Sequence, residues 1–200
     1  TAGRLQALEV AVADIVTKVL SKRCKMFVVG GESLIDLISK PVGADGKREF
    51  VAKAGGSPMN CAIALSKLGM RAGFLCPISR DSFGDFILQP LTAAGVEVLL
   101  ADRVREPTTL AVVTDDGKGN PRYAFYREAD RAFTRDKLVA ALPATLELFE
   151  IGGFCTVRPD DMEVWFDVAR EARRRGATIA TDPNLRPSLI DVFPGSANVT

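Results

Sequence analysis

Two short runs carry residue types suited to holding a polar ligand. The first is Ala54-Gly55-Gly56-Ser57-Pro58-Met59-Asn60, followed by an apolar stretch to Leu68 and then Gly69. Gly55 and Gly56 lack a Cβ, so a ligand can approach the backbone closely. Ser57 suits an N-cap, Pro58 the first helical position and Gly69 the C′ position. Asn60 would project from the first helical turn beside exposed amide donors. Such a set suits a neutral polyhydroxy ligand, which needs several donors and acceptors in one place. On spacing alone, a tight turn plus a helix cap accounts for the same residues equally well. No GK[ST] follows the glycines, which excludes a Walker A loop.

The second run is Thr181-Asp182-Pro183-Asn184-Leu185-Arg186-Pro187. It follows an apolar strand pattern, and ligands of α/β sheets bind outside the carboxyl ends of strands. In extended backbone Asp182, Asn184 and Arg186 share one side. The prolines restrict the chain and hold that arrangement, and Arg186 is suited to clamping a phosphate. The competing reading is an Asx-type turn leaving the strand. Asp36 lies between apolar residues in Gly31-Glu32-Ser33-Leu34-Ile35-Asp36, so burying it requires partners such as sugar hydroxyls or backbone donors. Tyr126-Arg127 closes a strand and is placed to fold over a ligand, although surface decoration is the ordinary explanation of one arginine on a strand.

These residues must be positioned by the elements around them. Short apolar runs at 27–30, 73–78, 96–100, 146–152 and 177–181 read as strands. Helical patterns cover 58–68, 83–94, 135–142 and 160–175. Alternating strands and helices imply a parallel sheet covered on both faces. Two segments break the alternation. Residues 108–114 and 122–127 form a hairpin around the loop 115–121, and 33–53 holds short alternating pieces around a turn at 43–46. Both are expected to leave the main sheet for a small second one. Pro90 falls inside a predicted helix, which must kink or start later. Residues 5–20 carry apolar positions at helical spacing and form a predicted N-terminal extension over 1–25. Packing explains this extension better than targeting, because Glu9 and Asp14 weigh against a transit peptide.

Composition narrows the chemistry further. The 200 residues hold 26 basic and 25 acidic side chains, a net charge of +1. That balance argues against a nucleic-acid surface. No apolar run is long enough to span a membrane. There is no histidine, which excludes Ser-His-Asp triads, Cys-His dyads and His-ligated metals. Acid–base chemistry must then use carboxylates, Lys, Tyr or Cys. The four cysteines, Cys24, Cys61, Cys76 and Cys155, show no metal-ligand spacing and read as free thiols of a reducing compartment. A cytoplasmic location is expected.

Taken together the motifs resemble the ribokinase-like (PfkB) family of carbohydrate kinases, most closely its fructokinase and 2-keto-3-deoxygluconate kinase branch. The matching runs are GGESLID at 30–36, AGGSPMNCAIALSKLG at 54–69, RDSFGDFI at 80–87, AAGV at 93–96, EPTTLAVV at 106–113, YAFYRE at 123–128 and TDPNLRPSLI at 181–190. The resemblance covers about residues 26–192. It implies an α/β fold, a three-layer αβα sandwich over 26–200 with a β-sheet lid from about 37–53 and 106–128. It implies transfer of the γ-phosphate of ATP to a sugar hydroxyl with Mg2+, and a homodimer formed through the lid. By position Asp36, Gly55, Gly56 and Asn60 match sugar-binding residues. Arg127 matches the lid arginine that reaches the sugar, and Asn184 and Arg186 match residues at the sugar–phosphate junction.

The chain also departs from the family pattern. The lid exit between Arg127 and Ala129-Asp130 is short, and the N-terminal extension is atypical. The family's catalytic aspartate sits in a later GAGD run, and its magnesium-associated NxxE motif and most of the adenine pocket also follow later. None occurs in these 200 residues, so no catalytic base or metal ligand is assigned. The expectation is the N-terminal portion of a sugar kinase, inactive alone. The alternatives are a non-catalytic binding or scaffold protein on the same fold, and a nucleoside kinase of the superfamily. Continuation of the gene into GAGD discriminates the scaffold from the kinase.

Overall fold

The computed structural model describes residues 25–115 and 121–184. The predicted N-terminal helix, the 116–120 loop tip and Arg186 lie outside the described residues. Strand β1 (Met26–Gly30) is the centre of a parallel sheet. Its neighbours are β4 (Ala72–Leu75) and β8 (Leu146–Gly152). The edges among the described residues are β5 (Glu97–Val98) beyond β4 and β9 (Thr178–Asp182) beyond β8. The second sheet contains β3 (Phe50–Gly55), β2 (Leu34–Ser39), β6 (Leu110–Asp115) and β7 (Pro121–Tyr126), in that order. Its outer pairs are antiparallel and its central β2–β6 pair is parallel.

Period-two alternation divides the core into two apolar layers. Val28 and Leu75 face one side and pack with Leu138 and Trp165. These come from α3 (Arg135–Ala141) and α4 (Pro159–Arg174). Their chain neighbours Val29 and Phe74 face the other side and meet Met59 and Ile87. Those belong to α1 (Ser57–Lys67) and α2 (Ser82–Ala93). Strands buried on both faces therefore need continuous apolar runs, as the sequence has. Each large side chain so buried contributes about 1.5–3 kcal/mol.

The helix boundaries follow local chemistry, with two corrections. The N-cap of α1 is Gly56 rather than Ser57, and Ser57 and Pro58 occupy the first two helical positions. The reason is crowding: a Cβ at residue 56 would stand 2.6 Å from the Glu32 carbonyl oxygen, so the turn into the helix is made at the glycine. At the other end Gly69 adopts φ +84°, and the Gly69 and Met70 amides bond to the carbonyls of Ser66 and Leu65. This is the Schellman arrangement expected for a C′ glycine. Helix α2 does not start later than expected but begins at Ser82. The proline falls in its last turn, and Asp81 caps the start by accepting from the Gly84 amide at 2.8 Å. The strand predicted over 73–78 ends at Leu75, because Pro77 removes a ladder donor.

No helix among the described residues is long and apolar enough to cross a membrane. The core leaves no room at Gly30 on β1, where an added Cβ would lie 2.5 Å from the Trp165 ring and 3.2 Å from that of Phe149. Gly30→Ala is expected to lower stability by about 1–3 kcal/mol, read from urea unfolding. An unchanged midpoint would show slack around Trp165.

Candidate functional site

A cavity of about 510 Å³ opens where the carboxyl ends of β1, β8 and β9 meet one face of the second sheet. Asp36 and Ile38 of β2, Val113 of β6, and Tyr123 and Phe125 of β7 supply that face. Strand register explains the set: Asp36 pairs with Ala111 and Ile38 with Val113, while Ala111 pairs with Phe125 and Val113 with Tyr123. Residues paired across neighbouring strands point to the same side. Tyr123 and Phe125 stack with ring centroids 5.9 Å apart, and Phe154 meets Phe125 edge-on at 4.8 Å. This is an aromatic wall opposite polar groups, the usual composition of a small-molecule site.

The polar side is built at loop and helix starts. Gly56, Ser57 and Asn60 line the cavity from the first turn of α1. Pro183 and Asn184 line it after β9. Of the residues singled out by sequence, Asp36, Gly56, Asn60 and Asn184 are thus brought together. Gly55 plays a different part from the one expected of it. It does not line the cavity; a Cβ there would stand 2.8 Å from Asp36 Oδ2, so the glycine makes room for the carboxylate. Gly56 lines the cavity with φ +115°, a conformation that suits glycine.

The expected alternation of Asp182, Asn184 and Arg186 is broken after its first member. The Asn184 amide donates to Asp182 Oδ1 at 3.0 Å, and Asn184 adopts φ +47°. This is the Asx turn, which asparagine tolerates in the left-handed region. It swings Asn184 into the cavity wall and leaves Asp182 exposed outside it.

Arg127 departs from its expected position as well. Its side chain is 6% exposed and does not line the cavity. After β7 the chain enters a 3-10 turn, Ala129–Arg131, which brings Asp130 to the guanidinium at 2.5 Å. Asp161 of α4 stands 3.2 Å away and also pairs with Arg131. The Thr109 hydroxyl donates to Asp130. The guanidinium lies 4.7 Å from the centroid of Phe154, whose ring lines the cavity. Arg127 therefore braces the aromatic wall from behind. Tyr126 is on the outer side of β7, 60% exposed, because it alternates with Phe125.

Glu32 and Phe154 line the site without having been singled out by sequence. Glu32 is buried, and its Oε2 accepts the Phe154 amide at 2.8 Å. Gly153, at φ +62°, makes room for this carboxyl group: a Cβ there would overlap it. Burial pushes Glu32 up to about 7, opposed by the Phe154 amide and reinforced by Asp130. Glu150 on β8 is likewise raised to about 7 by burial, with Asp182 and Glu32 adding repulsion. The available signal was positional, since Glu32 leaves the central strand at its carboxyl end.

A parallel sheet covered by helices on both faces, carrying such a cavity under a small second sheet, is the architecture of a sugar kinase. Residues 25–197 match the family described as pfkB family carbohydrate kinase, and the chain belongs to that family. It is 31% identical over 171 residues to a probable fructokinase-3 of Arabidopsis thaliana, covering 82% of this chain and 49% of that protein. It is 31% identical over 143 residues to a 2-dehydro-3-deoxygluconokinase of Bacillus subtilis, covering 67% of this chain and 43% of that one. A fructokinase crystal structure from Xylella fastidiosa superposes with a TM-score of 0.76 at 32% identity, covering 86% of this chain and 55% of the other. A second crystal structure of that fructokinase, with bound ATP, gives 0.75 at 31% identity, covering 86% of this chain and 54% of the other. The chain spans about half the length of the curated relatives it matches.

The Arg127 network sets a stability expectation. Arg127→Ala leaves Asp130 and Asp161 buried with their main cation removed, which costs roughly 3–5 kcal/mol. Chemical denaturation measures this, and an unchanged midpoint would show that the network contributes nothing to folding.

Proposed function

We propose that this chain supplies the sugar-binding part of an ATP-dependent kinase that phosphorylates a sugar hydroxyl, with fructose and 2-keto-3-deoxygluconate as the leading substrates. The observation that carries this reading is the convergence of Asp36, Gly56, Asn60 and Asn184, from three separate segments, on one cavity beside an aromatic wall. A sugar ring offers hydroxyls to the polar groups and C–H surface to the aromatic rings. Asp36 accepts hydroxyl hydrogen bonds, and the Asn60 and Asn184 amides can both donate and accept. Binding here orients one hydroxyl for attack on the γ-phosphate, and positioning is the larger part of phosphoryl-transfer catalysis.

ATP and Mg2+ belong to the proposed reaction, but the described residues are not assigned to either. No group of three or more His, Cys, Asp or Glu among them could hold a metal ion. The 200 residues contain no GAGD run. We therefore expect the chain to bind sugar without turning it over. Asp36→Asn and Asn60→Ala should each weaken sugar binding by about tenfold or more, measured calorimetrically. Wild-type affinity in both variants would remove the cavity from the reading, and sugar phosphorylation by the purified chain would overturn the expected inactivity. The free thiols of Cys61, Cys76 and Cys155 support a reducing, cytoplasmic setting.

The second sheet is also proposed as a homodimer interface. Ile38 and Val51 are cross-strand partners on one face of the sheet, 36% and 39% exposed. An apolar patch on a sheet face favours association with a matching copy. Sedimentation should show a dimer that Val51→Lys converts to monomer; a monomeric wild type would refute the interface.

A further inference from the structure

We propose that Glu32 makes the cavity selective for an uncharged polyol sugar over a sugar acid, by accepting a substrate hydroxyl and repelling a substrate carboxylate. The inference rests on the sugar-kinase reading above and chooses between its two substrate chemistries.

The charged side chains on the described lining are both acids, Glu32 and Asp36; no lysine or arginine stands among them. The nearby cation that a sugar acid would need, Arg127, is occupied by Asp130 and Asp161 behind the Phe154 ring. A substrate carboxylate entering here meets like charge in a partly dry site, where such repulsion is weakly screened. A neutral ketose meets no such repulsion, and its hydroxyls find acceptors in Glu32 and Asp36 and donors in the Asn60 and Asn184 amides.

Glu32 is held for this task. The Phe154 amide takes one acceptor position on Oε2, and Gly153 leaves space that any side chain would fill. A carboxylate has about four acceptor positions, so others remain for a hydroxyl on the cavity side. Glu32 itself lies 5% exposed, so its orientation does not drift with solvent.

The selectivity depends on pH in a fixed direction. Glu32 titrates at about 7, raised by burial. The groups that act on it or respond to it electrostatically are Asp130, Arg127, Glu150, Cys76 and Cys155, with Asp36 across the cavity. Above that pH Glu32 is anionic and repels a sugar acid. Below it the neutral acid can donate a hydrogen bond to a carboxylate, so the discrimination weakens.

Calorimetric titration of the purified chain with fructose and with 2-keto-3-deoxygluconate tests this. At about pH 8 fructose should bind at least about tenfold tighter, and at about pH 6 the ratio should shrink several-fold. Glu32→Gln should narrow the ratio and remove its pH dependence. If that variant does not fold, the wild-type pH series still decides. Equal or tighter binding of the sugar acid at the higher pH, or a ratio that ignores pH, would overturn the role of Glu32 while leaving the sugar-kinase reading intact. Failure of both sugars to bind at either pH would instead remove the sugar-pocket reading, and this inference with it.

Discussion

The site depends on how closely four backbone segments pass at the carboxyl end of β1. Gly30 lies against Trp165, and a Cβ on Gly31 would run into Pro58 and stand 2.8 Å from the Gly152 carbonyl oxygen. Gly56 passes 2.6 Å, measured at its missing Cβ, from the Glu32 carbonyl oxygen. Interiors packed to crystal density have no slack for a methyl group at such crossings. This close approach draws the start of α1, the end of β8 and the base of β2 around one space. Asn60, Phe154 and Asp36 share a cavity because these crossings are glycine-mediated.

Charge is arranged around that space in two compartments. Behind the aromatic wall, Arg127 and Arg131 balance Asp130 and Asp161 in a buried network joining the β7 exit to α4. In front of the wall Glu32 and Asp36 line the cavity, without a described lysine or arginine lining it. A buried ion network contributes little net stability over an apolar substitute, but losing one partner is costly. Such a network therefore suits fixing the Phe154 ring more than adding stability. The same ring is the divider: its face carries the Arg127 guanidinium and its backbone amide holds Glu32.

Much of the architecture was legible because it rests on local chemistry. The alternating elements, the Gly69 helix end, the Asp36 strand and the Asn60 turn follow from periodicity, capping preferences and glycine tolerance. The exceptions have two causes: distant contacts at Gly56 and Arg127, and a local Asx turn at Asn184. Ser57 is a good N-cap by type, yet Gly56 takes that place because Glu32, 24 residues earlier, crowds the turn. The alternation after β9 looked extended, yet the Asp182 side chain captured the Asn184 amide. Arg127 looked free to reach a ligand, yet Asp161, 34 residues later, holds it with Asp130.

By itself the sequence determined the fold class and the polar residues offered to a ligand, through the short-range periodicity of strands and helices, and the order of its motifs carried the family resemblance. Only the tertiary structure decided which of them share the cavity. It placed Glu32 and Phe154 in the wall, moved Gly55 to a supporting role and turned Arg127 away. The physical reason is that burial and ion pairing depend on through-space neighbours, and no spacing along the chain records that Glu32 and Phe154 meet across 122 positions.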